Sequence, residues 1–410
     1  MYAPRESPAR PAAEGLSWLW RLGPVLDSPA PAAVGFGSDA EGSALRELVE
    51  RGDLAGAVVF STGRTATGVA RFPAGERVRG DFTMAQSGTP VVESSLGVHA
   101  AREDGVLFLG ADPEAWWQRL EYHWVLEALE PFLAERLGRP AVKLPPVGVV
   151  RLDDAPGTAQ LQMQGRSHSD SRQRARLRSL RLAFGTPGAR LNAAVAAEAL
   201  AQGRRVPLDE VWPSSIAQIR SGVAEGTFEP VCHGLLHLVP EKMERGEVDW
   251  LEFSELDREE ASRRLEIALD WQERVLGRRP ATFVAPAWGY SEGALQAATD
   301  HGLAAWLPPK PGPLLEGPHL RETLNPALEG IHKLDYTPLA RWAAAGRPPT
   351  LVLHGWLFDK RMELLRPAHD YASLARLFLR RDLLRIPGID GVKWIGAGDY
   401  ADLIRAHDRA

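Results

Sequence analysis

The sequence predicts an α/β protein made of two units, a smaller α/β unit followed by a larger unit built on a parallel sheet or barrel. Short apolar runs alternate with segments of helical periodicity along most of the 410 residues, which is typical of strands joined by helices. A proline-containing stretch at 140–146 interrupts this alternation. We therefore place the boundary near residue 142, with an N-terminal unit at 1–141 and a C-terminal unit at 142–410.

The composition excludes several classes of protein. Forty-eight Lys and Arg against 53 Asp and Glu give a net charge of −5, which argues against a general affinity for nucleic acid or anionic membranes. The single cysteine, Cys232, excludes an intramolecular disulfide and a Cys-rich zinc module. The first residues lack the apolar block of a signal peptide, and no uncharged apolar run reaches 18 residues, so we expect no membrane span and a cytoplasmic location.

The N-terminal unit begins with a Pro/Ala-rich arm and continues as alternating elements. Apolar runs at 55–60 and 105–109 predict buried parallel strands, and the pattern at 43–51 predicts a helix. A longer helix is predicted from Asp112-Pro113 to Leu137, because an N-cap residue followed by proline is typical of a helix start. The unit resembles flavodoxin-like or amidotransferase-like folds. It contains no cysteine, which excludes a Cys-nucleophile amidotransferase, so we expect a regulatory, docking or oligomerisation role.

The C-terminal unit opens with an apolar strand at 147–152 that ends on two carboxylates, Asp153 and Asp154. Ser254 and Ser291 are predicted to cap two helices that end near Leu276 and His301. Further strands and helices alternate, with strands predicted at 189–197, 228–232, 282–285, 350–354 and 391–395 and helices at 213–224 and at the C terminus.

The stretch from Arg166 to Arg181 is the most basic in the chain, with six arginines and one acid, Asp170. It predicts either a loop that binds an anionic ligand or a solvated helix or mobile loop that pairs with acids elsewhere.

Candidate functional residues recur where the predicted strands stop: Asp153 and Asp154, His233, Pro286-Ala-Trp288 and His354. The carboxyl ends of parallel strands gather on one face, where active sites of α/β proteins are found. We therefore expect these four segments to converge. Taken alone, the paired aspartates are also ordinary turn chemistry before Pro and Gly.

His233 and His237 are four residues apart, a spacing that can direct two imidazoles to one metal. With Asp154 they would form a two-His, one-carboxylate set that leaves positions open for water and substrate, as in catalytic sites. By itself such a histidine pair is a weak signal, and a core or surface pair is the alternative.

These motifs together resemble the polysaccharide deacetylase (NodB-homology, carbohydrate esterase) family over about 145–400. The resemblance lies in the order of four segments: Leu152-Asp-Asp154, His233-x-x-x-His237, Phe283-Val-Ala-Pro-Ala-Trp-Gly289 and Leu351-Val-Leu-His354.

The resemblance implies a distorted (β/α) barrel that holds one divalent metal, usually Zn²⁺, and removes acetyl groups from N-acetylated sugars. Asp153 matches the family's general base and His354 its general acid. Trp288 matches an aromatic residue whose backbone amide helps to hold the oxyanion. The three metal ligands would be Asp154, His233 and His237.

The sequence also departs from the family pattern. Val284 stands where the family commonly has an arginine that contacts the base aspartate. Because residues i and i+2 of a strand share a face, we hypothesise that Arg151 supplies this guanidinium to Asp153. The family's acid–Trp motif is not recognisable, and Asp335 is the nearest candidate.

We therefore predict a metal-dependent amide hydrolase with an N-acetylated carbohydrate or small amide as substrate. Two alternatives stay open, namely a catalytically inactive carbohydrate-binding or scaffold barrel that has lost the usual arginine, and a hydrolase of non-sugar C–N bonds.

Overall fold

The computed structural model describes the elements that carry the predicted site. The residues described are 1–10, 12–13, 28–61, 64–73, 77–85, 88–113, 124–138, 140–141, 143–156, 170–185, 189–201, 204–239, 242, 249–307, 320–321, 343, 346, 348–354 and 392–409.

Seven strands and two helices of the N-terminal unit have described bounds. The strands are β1 (Val34–Ser38), β2 (Gly56–Phe60), β3 (Thr65–Arg71), β4 (Arg77–Thr83), β5 (Thr89–Ser94), β6 (Gly97–Glu103) and β7 (Val106–Leu109), and the helices are α1 (Gly42–Glu50) and α2 (Val125–Leu137).

The main N-terminal sheet has the order β1-β2-β7-β6-β5 and is mixed. Strands β1, β2 and β7 are parallel, whereas β6 pairs antiparallel with both β5 and β7. Strands β3 and β4 form a separate antiparallel hairpin. The two predicted parallel strands are confirmed, but a flavodoxin-like arrangement is not, because the antiparallel strands β5 and β6 make the main sheet mixed rather than parallel.

Of the long helix predicted from Asp112 to Leu137, the structure describes α2, which begins at Val125 after the N-cap residue Trp124 and is followed by Gly138 in a left-handed conformation. Glycine is favoured there because it has no Cβ to clash. The first half, at 114–123, lies outside the described residues.

The C-terminal unit alternates strands and helices as predicted. Its strands are β8 (Val147–Asp153), β9 (Leu191–Val195), β10 (Glu198–Ala201), β11 (Arg204–Pro207), β12 (Phe228–Cys232), β13 (Thr282–Phe283), β14 (Ala304–Leu307), β15 (Leu320–Arg321), β16 (Thr350–His354) and β17 (Lys393–Trp394). Its helices are α3 (Asp170–Gly185), α4 (Leu208–Val211), α5 (Pro213–Ala224), α6 (Arg258–Leu276), α7 (Glu292–Asp300) and α8 (Ala397–Arg409).

Eight of these described strands form one sheet in the order β15-β14-β13-β12-β9-β8-β16, with β17 also paired to β8. Every pairing in it is parallel. The predicted parallel sheet is therefore present, and among the residues described no pairing joins β15 to β16 to close it into a barrel. The carboxyl ends of β8, β12, β13 and β16 point to the same edge, which is the edge expected to carry the site.

The two faces of β8 pack against different apolar clusters. Val147 and Val149 belong to a cluster with Trp306 and Tyr400, whereas Leu152 belongs to a larger cluster that also contains Phe36 of the N-terminal unit. The core is thus continuous between the two units. The boundary predicted near residue 142 remains a prediction.

Two expectations for this unit need correction. Helix α6 begins at Arg258, with Asp257 as its N-cap, and not at Ser254. The antiparallel hairpin β10–β11 follows β9 and was not predicted. Ser291 does cap α7, because its hydroxyl accepts a hydrogen bond from the Ala294 amide at 2.9 Å. None of the helices in the described ranges combines the length and the apolar character that a membrane span requires.

Candidate metal centre

Strand β8 delivers a buried ion pair to the carboxyl edge of the sheet. Arg151 Nε donates to Asp153 Oδ1 at 2.6 Å and Arg151 Nη2 donates to Asp153 Oδ2 at 2.8 Å. Arg151 is fully buried and Asp153 is 3% exposed. The guanidinium also lies over the ring of Trp306, 5.3 Å from its centroid. The predicted contact between Arg151 and Asp153 is therefore present as a two-pronged, desolvated pair, the geometry that a guanidinium forms best with a carboxylate.

Asp154 lies one residue further on, where the chain leaves the strand with a positive φ of 57°. An aspartate tolerates this left-handed conformation better than most residues. The turn directs its carboxylate toward the loop that follows β12. Asp154 Oδ1 is 3.3 Å from His233 Nε2 and 2.8 Å from His237 Nε2.

The three side chains form a compact buried cluster. Their ligand atoms all lie within 4.8 Å of one another, and Asp154, His233 and His237 are the one His/Cys/Asp/Glu group of this kind among the residues described. The two imidazole rings meet edge to face at a centroid separation of 5.0 Å.

The pKa values of the cluster reflect the contact between carboxylate and imidazole. Burial alone would raise the pKa of Asp154, but the adjacent His237 and His233 hold it well below its usual range. Burial alone would lower the pKa of His237, but the Asp154 carboxylate raises it above its ordinary value. The site thus favours a negative carboxylate facing a positive partner.

The residues fit a divalent cation on two observations. His233 Nδ1 lies 2.8 Å from the carbonyl oxygen of Val284, which can only accept a hydrogen bond. A neutral His233 therefore carries its proton on Nδ1 and presents the lone pair of Nε2 to Asp154 Oδ1. Two acceptors facing each other require a proton or a cation between them. The 3.3 Å between these two atoms suits ligands that share one zinc ion, whereas the 2.8 Å between Asp154 Oδ1 and His237 Nε2 is a hydrogen-bond distance.

A buried acid outside the predicted set supports the histidine loop. Glu252 is 1% exposed, and its Oε2 accepts hydrogen bonds from the backbone amides of Leu235, Leu236 and His237 at 3.2, 3.2 and 3.0 Å. Burial raises the pKa of Glu252, and the Arg264 guanidinium at 3.7 Å opposes that shift. No sequence motif marked this residue, because its partners are backbone groups 15–17 residues away.

Trp288 lies in a short 3₁₀ turn, Pro286–Trp288, after β13. Ala287 and Trp288 both have positive φ, and Tyr290 supports the turn by accepting a hydrogen bond from the Ala285 amide at 2.8 Å. The Trp288 amide donates to the Ala285 carbonyl at 3.0 Å. The predicted role of this amide in holding an oxyanion therefore requires the hydrogen bond to be shared or opened.

His354 is the last residue of β16, and the strand register places it directly beside Asp153. The backbone thus brings the predicted acid and the predicted base to neighbouring positions. The side chain of His354 lies outside what the structure describes, and so does the whole of Asp335.

The remaining sequence signals have structural explanations. Val284 is buried in the apolar cluster beside β8, and its carbonyl orients His233. Cys232 is buried, and burial raises the pKa of its thiol to about 12, as expected for an unreactive core residue. Residues 170–181 of the arginine-rich stretch belong to helix α3, whereas 166–169 lie outside the described residues. Asp170 accepts hydrogen bonds from the amides of Ser214 and Ser215 at the start of α5.

The chain is similar in structure to solved proteins of low sequence identity. A Mycobacterium smegmatis protein classed as a polysaccharide deacetylase matches 65% of this chain and 92% of its own, with 16% identity and a TM-score of 0.44. A family 4 carbohydrate esterase from Streptomyces lividans in complex with acetate matches 60% of this chain and 90% of its own, with 12% identity and a TM-score of 0.32. The similar structures are polysaccharide deacetylases and their relatives.

This is the family that the sequence motifs resemble. It includes a pseudoenzyme from Bacillus anthracis, which matches 64% of this chain and 66% of its own, with 8% identity and a TM-score of 0.33. No protein-family model and no curated protein matches the sequence. Because these similarities are weak, the functional proposal rests on the site itself.

Proposed function

We propose that this protein is a metal-dependent hydrolase that removes an acetyl group from an N-acetylated sugar or a related amide. The observation that carries the proposal is the adjacency of two distinct carboxylates at the end of β8. Asp153 is paired with a guanidinium, whereas Asp154 faces two imidazoles. A single strand end therefore offers one carboxylate for proton transfer and one for a cation.

Asp154, His233 and His237 would hold the cation, usually zinc in sites of this composition. When bound, the metal supplies a Lewis acid that polarises the acyl carbonyl and acidifies water. The hydrogen bond from His233 to the Val284 carbonyl keeps the imidazole oriented for this task.

Asp153 is proposed to take a proton from the attacking water. Each carboxylate oxygen has two lone-pair positions, so an oxygen that accepts a hydrogen bond from Arg151 can also accept a proton. Arg151 would keep the carboxylate oriented and ionised, the task proposed for the arginine that Val284 replaces.

His354, in register with Asp153, is proposed to protonate the departing amine, because histidine is the side chain that most often serves as a general acid. The Trp288 amide is proposed to hold the oxyanion of the tetrahedral intermediate once its hydrogen bond to Ala285 is shared.

A second candidate is a catalytically inactive carbohydrate-binding barrel. Two observations favour it: both oxygens of Asp153 are held by Arg151, which weakens a carboxylate as a base, and the Trp288 amide has a partner within the chain.

Acetate release from a panel of N-acetyl sugars and small acetamides distinguishes the two. The metal-stripped protein should be inactive and should recover on addition of Zn²⁺. Asp153→Asn should bind zinc as the wild type does but hydrolyse about 10²–10⁴-fold more slowly, because only the proton acceptor is lost. Asp154→Ala should lose both zinc and activity. A zinc-loaded wild type that hydrolyses none of these substrates would favour the inactive barrel.

A further inference from the structure

The backbone of the histidine loop forms a pocket for an anion, and an internal carboxylate fills it. The amides of three successive residues, Leu235, Leu236 and His237, converge on one oxygen of Glu252. Successive N–H groups of this kind bind anions strongly because their partial positive charges add. Here the anion is part of the protein, so the contact fixes the loop rather than recruiting a ligand.

This contact bears directly on the orientation of His237. The residue has a φ of 65°, an unfavourable conformation for a residue with a Cβ, and its amide makes the shortest of the three hydrogen bonds to Glu252, at 3.0 Å. With the backbone held in this way, the imidazole reaches the Asp154 carboxylate at 2.8 Å. Without the hydrogen bond, more common backbone conformations of His237 would move the ring away.

Gly234 is shaped to admit the same carboxylate. A Cβ at this position would lie 2.5 Å from Glu252 Oε2, and its φ of +81° also favours glycine. The spacing His233-Gly-Leu-Leu-His237 therefore contains a glycine because the acid lies against the backbone there. Gly234 and Glu252 form one structural unit.

The segment that carries Glu252 and the histidine loop are each held by further backbone contacts. The neighbouring Phe253 pairs with Tyr290 in a parallel bridge, and the Ser291 amide donates to the Phe253 carbonyl at 2.9 Å. The loop is tied on its other side as well, because the Glu198 amide donates to the Leu235 carbonyl at 2.8 Å. Through its neighbour Phe253, Glu252 thus connects the histidine loop to the segment that follows the Trp288 turn.

We infer that Glu252 is a positioning residue for the metal centre, acting through its hydrogen bonds to the loop backbone rather than through its charge. The inference rests on the proposed function in that it takes Asp154, His233 and His237 to be the ligands. Residues that orient metal ligands typically change metal affinity 10–100-fold when replaced.

Two substitutions of Glu252 distinguish the effect of its side-chain length from the effect of its negative charge. Glu252→Asp keeps the charge but withdraws the carboxylate by one methylene, and we expect zinc affinity to fall about tenfold or more. Glu252→Gln keeps an acceptor oxygen at the same distance, and we expect affinity within about threefold of the wild type. Dissociation constants for Zn²⁺ would be measured on the metal-stripped full chain by competition with a chromophoric chelator.

Glu229→Asp is the matched control. Glu229 is 2% exposed and accepts a hydrogen bond from the Gly398 amide at 2.6 Å, so shortening it also disturbs a buried carboxylate that binds backbone. It lies near the start of β12, about 13 Å along the strand from His233. We expect this variant to lose stability and to keep its zinc affinity.

The outcomes separate the two proposals. A wild type that does not bind zinc overturns both. If the wild type binds zinc, two results overturn the inference alone: a zinc affinity of Glu252→Asp within threefold of the wild type, or a zinc affinity of Glu252→Gln as low as that of Glu252→Asp. The inference is also overturned if Glu229→Asp loses as much zinc affinity as Glu252→Asp. If Glu252→Asp does not fold, hydrogen exchange in the metal-free wild type decides. Slow exchange at 235–237 supports the inference, and exchange at the rate of an open loop overturns it.

Discussion

Arg151 and Asp153 show how strongly one residue's role depends on its neighbour. Both side chains are desolvated, and their two hydrogen bonds offset the free-energy cost of burying the two charges. Replacing one partner leaves a buried charge, whereas replacing both removes the cost together with the interaction.

We predict that Arg151→Met lowers the free energy of unfolding by about 3–5 kcal/mol and that adding Asp153→Leu restores most of it. Chemical denaturation of the two single variants and the double variant measures this. Arg102→Met is a control, because the Arg102–Glu135 pair has equally short contacts but is half exposed, and its loss should matter much less. Equal losses in the single and double Arg151 variants would contradict the prediction.

His99 is the buried histidine of the N-terminal unit. It is fully buried beside Phe72, Phe82 and Trp124, and its Nε2 lies 2.6 Å from Ser94 Oγ. Burial lowers its pKa from 6.5 to about 4. The folded protein therefore keeps His99 neutral over a range in which the unfolded chain takes up a proton.

This difference predicts a pH dependence of stability. Because the folded pKa is the lower one, the contribution of His99 is complete above pH 6.5 and is lost as the pH falls toward 4, by about 3 kcal/mol in all. Denaturation at pH 7, 5.5 and 4.5 should show a smaller decline in His99→Phe than in the wild type. Parallel profiles for the two proteins would show that His99 does not contribute.

At the scale of elements, the start of α6 shows tertiary contacts choosing between two local signals. Ser254 and Asp257 are both good N-cap residues three positions apart. The bridge between Phe253 and Tyr290 fixes the chain at this point, and the amide and the hydroxyl of Ser254 both donate to the Leu251 carbonyl, which closes a turn instead of starting a helix. Asp257 accepts a hydrogen bond from the Glu260 amide at 2.9 Å and caps the start of the helix.

We expect Asp257→Ala to lower the free energy of unfolding by about 1 kcal/mol, because the first turn of α6 loses its acceptor. Ser254→Ala should cost distinctly less, and Asp257→Asn should stay close to the wild type because it keeps the acceptor. Thermal or chemical unfolding of the three variants is the measurement. A larger loss from Ser254→Ala would mean that the helix begins earlier in solution.

For the whole molecule, the metal centre joins segments that are far apart in sequence. Asp154 follows β8, and His233 and His237 follow β12, with Asp154 and His233 79 residues apart. A cation that binds only when these segments meet stabilises the folded state by RT ln(1 + [M]/Kd).

We predict that Zn²⁺ at 100 times its Kd adds about 2.7 kcal/mol to the free energy of unfolding. Mg²⁺ at the same concentration should add little, because it prefers oxygen ligands and retains its water. The gain should vanish in His237→Ala. Thermal unfolding with and without each ion tests this, and an undiminished zinc effect in His237→Ala would place the binding elsewhere.

What the sequence alone determined follows from local pattern. The alternation of apolar and helical segments predicted the parallel strands β2, β8, β9, β12 and β16. Polar residues at strand ends, together with the four-residue spacing of the histidines, predicted the cluster of Asp154, His233 and His237. The i,i+2 rule also predicted that Arg151 would contact Asp153. Such features depend on periodicities and spacings within a few residues of the chain.

Only the tertiary structure decided the rest. The mixed N-terminal sheet, the cap of α6 and the position of Glu252 depend on contacts between segments that have no fixed spacing in the sequence. Glu252 is one of 53 acidic residues and carries no motif, and its importance arises because folding brings it against three backbone amides. Burial gives that contact its strength, since water no longer competes for the same hydrogen bonds.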